Sequence, residues 1–335
     1  MEIVILFAIL VLLLSISVPI GVGLGLSTLL TMLLTSDIPV IMIAQYAFTA
    51  LDSFPLMAIP FFIMAGNLMT SGGISRRIIE FTNLLIGKVA GSLGIVTVLA
   101  SSFFAAISGS GPATVSAIGS MMIPEMTKSG YNKSFATALT CAAGIIGVII
   151  PPSIPFVLYG VITGVSIGEL FLAGFLPGFL IAAVLIAICY QISKKRGYGL
   201  NQGDEVRVSS NNKSLFRTFL DSFWALLTPI IILGGIYSGV FTPTESAVVA
   251  VFYALFASGV IYRELTLKIV LDSIRDTVVT TAICLFTIGL SMGFASYLTM
   301  EQIPMKIANI ILSISNSPFV ILLLINIFLL IVGCF

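Results

Sequence analysis

At 335 residues, with 58% hydrophobic and 9% charged side chains and a mean hydropathy of +1.17, the chain is too apolar for a soluble domain and reads as an all-α polytopic membrane protein. Its formal net charge of +1 gives no case for a nucleic-acid partner, and the absence of histidine removes zinc–His sites, Ser-His-Asp triads and histidine proton relays together. Cys141, Cys189, Cys284 and Cys334 all sit in apolar stretches without CxxC spacing, so they read as small hydrophobes, and no Walker-type loop suggests ATP hydrolysis by the chain itself.

In chain order, Glu2 stands where a signal peptide would have a basic start, so the amino terminus is expected to be a retained helix. Ile3 to Leu34 exceeds one span and is broken by Pro19 and Gly21; it is either one span with an interfacial lead-in or two short ones. Ile38 to Ala50 is amphipathic and suits the interface. Phe54 to Met69 is a span with prolines at its start, and Gly73 to Gly87 an amphipathic segment carrying Arg76, Arg77 and Glu80.

Val89 to Pro124 is uncharged but interrupted at its centre by Ser108-Gly109-Ser110-Gly111-Pro112, which cannot continue an ordinary helix. Irregular backbone at membrane depth is tolerated where it is buried in protein or lines a cavity, and broken helices of this kind hold ions and substrates in transporters. Ser134 to Gly168 repeats the design, with Gly144, Gly147 and Pro151-Pro152-Ser153-Ile154-Pro155 at its middle. The plainer reading, two kinked spans that only pack, leaves Ser108, Ser110 and the freed backbone groups without a purpose.

At the first break the glycines let carbonyls and amides approach a ligand closely, and Pro112 suits the first turn of a second half-helix whose positive end favours an anion. The carbonyl end of the first half-helix, with its serines, favours a cation; sodium fits, because hard cations prefer oxygen. At the second break three prolines remove backbone donors, so carbonyls near Gly147 to Ile150 are freed to complete a cation site.

Leu170 to Ile192 is a span, Ser193 to Arg217 a hydrophilic loop, and Asp221 to Tyr237, Ser246 to Tyr262, Thr277 to Leu298 and Pro318 to Phe335 complete the set. Phe216, Phe219, Phe223 and Trp224 read as an interfacial aromatic anchor. Thr242 or Thr244 can cap the helix that follows, with Glu245 in its first turn; the alternative is a glutamate that pairs with a moving domain.

Lys194, Lys195, Arg196, Arg207, Lys213 and Arg217 place the long loop on the cytoplasmic side. Working backwards, both ends of the Val89 to Pro124 run are cytoplasmic as well. That run makes two helices of about 18 residues, marginal for full spans, and its tip has nothing suited to bulk water, so a re-entrant hairpin is expected rather than two spans. Working forwards, Arg263, Lys268 and Arg275 fall inside, and Glu301 and Lys306 outside. Ile74 to Gly109 and Ile303 to Gly333 share one pattern, amphipathic segment, small turn, apolar run and glycine, but start on opposite sides, which is the mark of an inverted repeat. Gly333-Cys334-Phe335 then matches the first hairpin tip, and the 335 residues are expected to be a fragment or a truncated reading frame.

Ser108 through Ser120, Ile123-Pro124-Glu125-Met126, Gly147 through Pro155, Tyr159-Gly160, Phe241 through Ala247, and Pro60-Phe61-Phe62 with Gly66 through Met69 resemble the large membrane subunit of tripartite ATP-independent periplasmic (TRAP) transporters. The resemblance spans essentially the whole chain. It implies an elevator-type carrier built from inverted repeats, with a re-entrant hairpin and broken helices and, here, an incomplete second repeat. Residues 1–73 would be scaffold helices and 74–192 the first transport region, with its hairpin at 89–125 and broken helix at 134–168. Residues 193–217 would be a cytoplasmic loop and 218–335 second-repeat scaffold with half a second hairpin. The implied ion site is Ser108, Gly109, Ser110 and Gly111, opposed by Gly147, Pro151 and Ser153, with Pro112, Thr114 and Pro152 facing substrate.

The same resemblance implies sodium-coupled import of organic acids, such as C4-dicarboxylates or sialic acid, across a bacterial inner membrane. The partners would be a small membrane subunit and a periplasmic binding protein, with no cofactor beyond the coupling ion. A stand-alone ion-coupled anion carrier or antiporter is the alternative. An intramembrane enzyme lacks an acid–base pair or activated serine, and a non-transporting scaffold is the remaining reading.

Overall fold

A computed structural model describes residues 2–35, 38–86, 89–198, 215–314 and 317–333, and these are helical apart from short connections, with no strand among them. The elements are α1 Glu2–Ser15, α2 Ile20–Thr35, α3 Ile41–Leu51, a 3-10 turn Phe54–Met57, α4 Ala58–Ser71 and α5 Ile74–Ile86. Then come α6 Ser92–Ser108, α7 Gly111–Lys128, α8 Lys133–Gly144, α9 Ile146–Ile149, α10 Ile154–Thr163 and α11 Ile167–Arg196. The last are α12 Leu215–Tyr237, α13 Pro243–Phe256, a π-helical turn Ala257–Ile261, α14 Leu267–Met300, α15 Ile303–Ile314 and α16 Pro318–Val332. Six helical segments among the described residues are long and apolar enough to cross a membrane.

Exposure follows from lipid as the solvent. On α11, Leu172, Leu176, Phe179, Leu180, Val184 and Ile188 form an exposed apolar stripe at helical spacing, while Phe171, Gly174, Gly178, Ala182 and Cys189 turn inward. The inward glycines let neighbours come close: a Cβ on Gly178 would lie 2.6 Å from Ile150 Cγ1.

The chain divides into two compact units, residues 1–52 with 282–335, and residues 53–281. In the first, Leu6, Met32 and Tyr297 form a buried cluster flanked by Ile38, Ile43, Phe294 and Leu298. Within it Gly21 of α2 lies against Thr287 and Gly25 against Leu290. The second holds both interrupted segments. There α6 and α7 pack as a hairpin, α8 packs on both, and α4 lies between α6 and α13.

Of the two readings of Ile3 to Leu34 the structure has the two short helices, since Ser17 takes a positive φ and Pro19 cannot continue α1. Several other boundaries differ from the sequence reading. Pro124 sits inside α7, costing one backbone bond; that helix ends at Lys128, where left-handed Gly130 sends its N–H to Thr127 O and Tyr131 sends its own to Met126 O. The hairpin therefore runs past residue 125. The hydrophilic stretch from Ser193 is helical to Arg196, and Leu215 already belongs to α12; residues 199–214, with Arg207 and Lys213, lie outside the described residues, as do Lys88, Cys334 and Phe335. The expected Thr277 to Leu298 span is the end of a 34-residue helix, because Lys268, Asp272, Arg275 and Asp276 occupy solvated helical turns that a hydropathy reading discards.

Glu245 completes a capping box: the Thr242 N–H donates to its Oε2 at 2.8 Å, and its own N–H donates to Thr242 Oγ1 at 3.3 Å. This is the cap reading of the two. Trp224 stacks edge-on with Phe223 and Phe256, and Phe219 packs on Phe223 and Phe81. Among the described cysteines, Cys141, Cys189 and Cys284 are free thiols.

Candidate functional site

The first break is built from two opposed helix ends. Gly109 closes α6 in the left-handed region (φ 62°), its N–H bonded to Ala105 O at 3.1 Å. Ser110 is extended (φ −135°, ψ 124°) and caps α7, its Oγ accepting from the Ala113 N–H, with Pro112 in the first turn. Inside the tip, Thr114 Oγ1 donates to Ser110 O at 2.8 Å and stands 3.1 Å from Ser108 Oγ. Ser108 Oγ in turn accepts from the Ser110 N–H at 3.4 Å. Ser108 is 2% exposed and Thr114 0%, so these hydroxyls satisfy one another away from water.

The second break obeys the same local rule. Ser153 is extended (φ −131°, ψ 121°) and caps α10, accepting from the Phe156 N–H, with Pro155 in the first turn. Ser-x-Pro is thus the shared chemistry of both half-helix starts. Upstream, Gly147 O and Val148 O would normally bond the N–H groups of residues 151 and 152, but both are proline, joined here by a cis peptide bond. The Val148 carbonyl takes the Ser153 hydroxyl instead.

The two breaks interlock. The Ile154 N–H donates to Gly109 O at 3.2 Å. A Cβ on Gly109 would lie 2.6 Å from the Pro152 carbonyl oxygen, so glycine is required there twice, for its φ and for space. A Cβ on Gly147 would meet Thr114 Oγ1 and lie 2.9 Å from Ser110 O. Gly111 faces Val148 and the Gly144 carbonyl. From the other side Gly66 of α4 lies under Ser108, its Cβ position 3.4 Å from Ser108 Cα and Cβ.

The structure thus gathers Ser108, Gly109, Ser110, Gly111, Gly147, Pro152, Ser153 and Thr114 into one buried or half-buried contact of hydroxyl and carbonyl oxygens, with Pro151 buried next to Pro152 in the chain and no charged side chain in either tip. Of the three residues expected to face substrate, Pro112 is exposed while Thr114 and Pro152 are buried in the interlock. Sequence reasoning passed over Gly66 as a wall of the site, and gave Thr114 no place in the hydroxyl network; its Ser-x-x-x-Thr spacing from Ser110, one helical turn, was the available signal. A separate cavity of about 360 Å³ among the described residues is lined by Ser53, Pro55, Gly160, Ser166 and Pro243 and does not include either tip.

The family model for the DctM component of the tripartite ATP-independent periplasmic transporter matches residues 7–335. The chain is 44% identical over 309 residues to the isethionate TRAP transporter permease protein DctMQ of Oleidesulfovibrio alaskensis, covering 92% of this chain and 48% of that protein. It is 41% identical over 305 residues to the sialic acid TRAP transporter large permease protein SiaM of Vibrio cholerae, and 43% identical over 312 residues to the C4-dicarboxylate TRAP transporter large permease protein DctM of Pseudomonas aeruginosa. Each of these two matches covers 91% of this chain and 70% of the relative. The chain therefore spans about half the length of the first relative and just over two thirds of the other two.

Proposed function

From the premise that the chain belongs to the DctM-component family of tripartite ATP-independent periplasmic transporters, we propose that it is the large transmembrane subunit of a sodium-coupled importer of organic acids. It would work in a bacterial inner membrane with a small membrane subunit and a periplasmic binding protein. Relatives named for isethionate, sialic acid and C4-dicarboxylates all handle small acids, which supports an anionic substrate and leaves its identity to the binding protein.

The observation that carries the reading is the interlock of Ser108–Pro112 with Pro151–Ser153. Its oxygens, Ser108 Oγ, Ser110 O, Thr114 Oγ1, Val148 O and Pro152 O, are hard neutral donors of the kind sodium takes. The N-termini of α7 and α10, each capped by its own serine beside the interlock, offer positive dipole ends to an anion. Ion and anion would then share one contact, so that binding of each favours the other. Ser108, Gly109, Ser110, Gly111, Gly147, Pro151 and Ser153 are the proposed ion-site residues, and Pro112, at the exposed lip, is the proposed substrate-facing one.

The test is uptake by the assembled transporter in proteoliposomes. An inward sodium gradient should drive accumulation of the acid. Equal uptake in potassium with a proton gradient alone would overturn sodium coupling, and uptake without any binding protein would favour the stand-alone carrier.

A further inference from the structure

We propose that Arg77 is a positioning residue for the hairpin tip: it locks the end of α4 and the whole of α5, and through them sets the place of Ser108. The inference rests on reading that tip as the ion site.

Arg77 is more enclosed than either Glu264 or Arg76, its side chain 14% exposed against 31% for Glu264 and 57% for Arg76. Its Nη2 lies 2.8 Å from Glu264 Oε1, its Nη1 donates to Gly73 O at 3.0 Å, and its guanidinium stands 3.6 Å over the Tyr262 ring. Its carbonyl accepts from Ser222 Oγ of α12 at 3.0 Å. Tyr262 is itself held, donating to Asp221 O at 3.0 Å and accepting from the Ala225 N–H at 3.1 Å. Glu264 is anchored by its N–H to Ser258 O in the π-helical turn. Arg76 shares Glu264 Oε1 at 2.9 Å and reaches Glu80 at 3.7 Å. The guanidinium thus joins α5 to the segment after α13, and through the Tyr262 hydroxyl that segment is tied to α12; the direct bond from α12 is to the Arg77 backbone, which a side-chain change leaves in place. A lysine would keep the charge but lose both the stacked plane and the paired N–H groups.

Two contact routes lead from this clamp to the tip. The turn Gly72-Gly73 is pressed between Ser258 and the Glu264 carboxylate, so the clamp fixes the end of α4. About a turn and a half earlier, the same helix presents Gly66 directly under Ser108. The other route is α5 itself, which packs along α6, the helix that ends at Ser108. Packed helices shift as units, so loosening one end of α4 moves its contact at the other.

The test uses the full chain with Cys141, Cys189, Cys284 and Cys334 replaced and a reporter Ser116→Cys, exposed on α7 one turn beyond the tip. Thiol labelling is followed against sodium chloride, with choline keeping the ionic strength. In the parent, sodium should slow labelling; no effect would fail the ion-site reading while leaving the rate without sodium as the readout here. R77Q should speed that rate and raise the half-protecting sodium concentration by about three- to thirty-fold. R77K should behave like R77Q, and E264Q, which keeps the side-chain volume, should shift the same way. Met32→Ala, in the buried cluster with Leu6 and Tyr297 of the other compact unit, matched for loss of melting temperature, should leave the tip readout alone. The proposal is overturned if R77K restores parental labelling, if R77Q and E264Q both label as the parent does, or if Met32→Ala reproduces their effect.

Discussion

Gly109 and Pro152 meet so closely that the carbonyl oxygen of the proline occupies the space a Cβ on the glycine would need, 2.6 Å away. The contact joins two segments that are separate in sequence, and it turns two individually ambiguous breaks into one site.

Gly109→Ala should therefore do more harm than an ordinary glycine replacement. Gly164 gives the comparison: it too is left-handed, at φ 73°, but nothing lies within 4 Å of its Cβ position. Gly164→Ala should cost only the backbone term, about 1–2 kcal/mol. Gly109→Ala should add an overpacking term of about 1–3 kcal/mol. Thermal unfolding of the two variants in one detergent checks the order, and equal losses would remove the close contact.

Gly147 and Thr114 form a second close pair. Gly147→Ala should destabilise the chain because its methyl meets Thr114 Oγ1, whereas Thr114→Ala removes that nearest obstacle together with the bond to Ser110 O, leaving the Ser110 carbonyl oxygen 2.9 Å away. The double variant should be more stable than the sum of the single losses by about 0.5–3 kcal/mol. A strictly additive cycle would mean that the two residues do not touch.

Much of this was legible in the sequence, and the reasons are specific. Ser, Gly and Pro in an uncharged run admit few interpretations, because lipid offers backbone groups no alternative partners; the hairpin and the Pro151 break were placed by that rule. Helix ends in water were less legible. Pro124 fails to end α7, and α14 begins at Leu267 well before its apolar core, because a solvated helix end tolerates charge and a single missing bond. Least legible were partnerships distant in sequence. Nothing in Arg77 or Glu264 alone announces a clamp, and Gly66 reads as a common packing glycine until Ser108 is placed above it.

Ser153 performs two tasks, capping α10 and donating to the Val148 carbonyl that proline leaves free. Ser153→Ala should cost about 1–2 kcal/mol, and Ser116→Ala, on the exposed face of α7, close to nothing. Urea or heat unfolding distinguishes them, and a silent Ser153→Ala would show that another donor fills the cap.

The capping box at Thr242 and Glu245 assigns Glu245 a local role. Glu245→Ala should lower stability by removing the acceptor of the Thr242 N–H and leave the sodium dependence of tip labelling unchanged. A shift in sodium dependence with stability intact would instead favour a glutamate that pairs with a moving element.

Direct binding of sodium to the purified chain tests the central claim most simply. Equilibrium dialysis with radiolabelled sodium should show saturable binding that excess potassium does not displace, and Ser108→Ala and Ser153→Ala, each verified as folded, should weaken it. Absence of saturable sodium binding, potassium competing equally, or full binding in both serine variants would contradict an ion site at the interlocked tips.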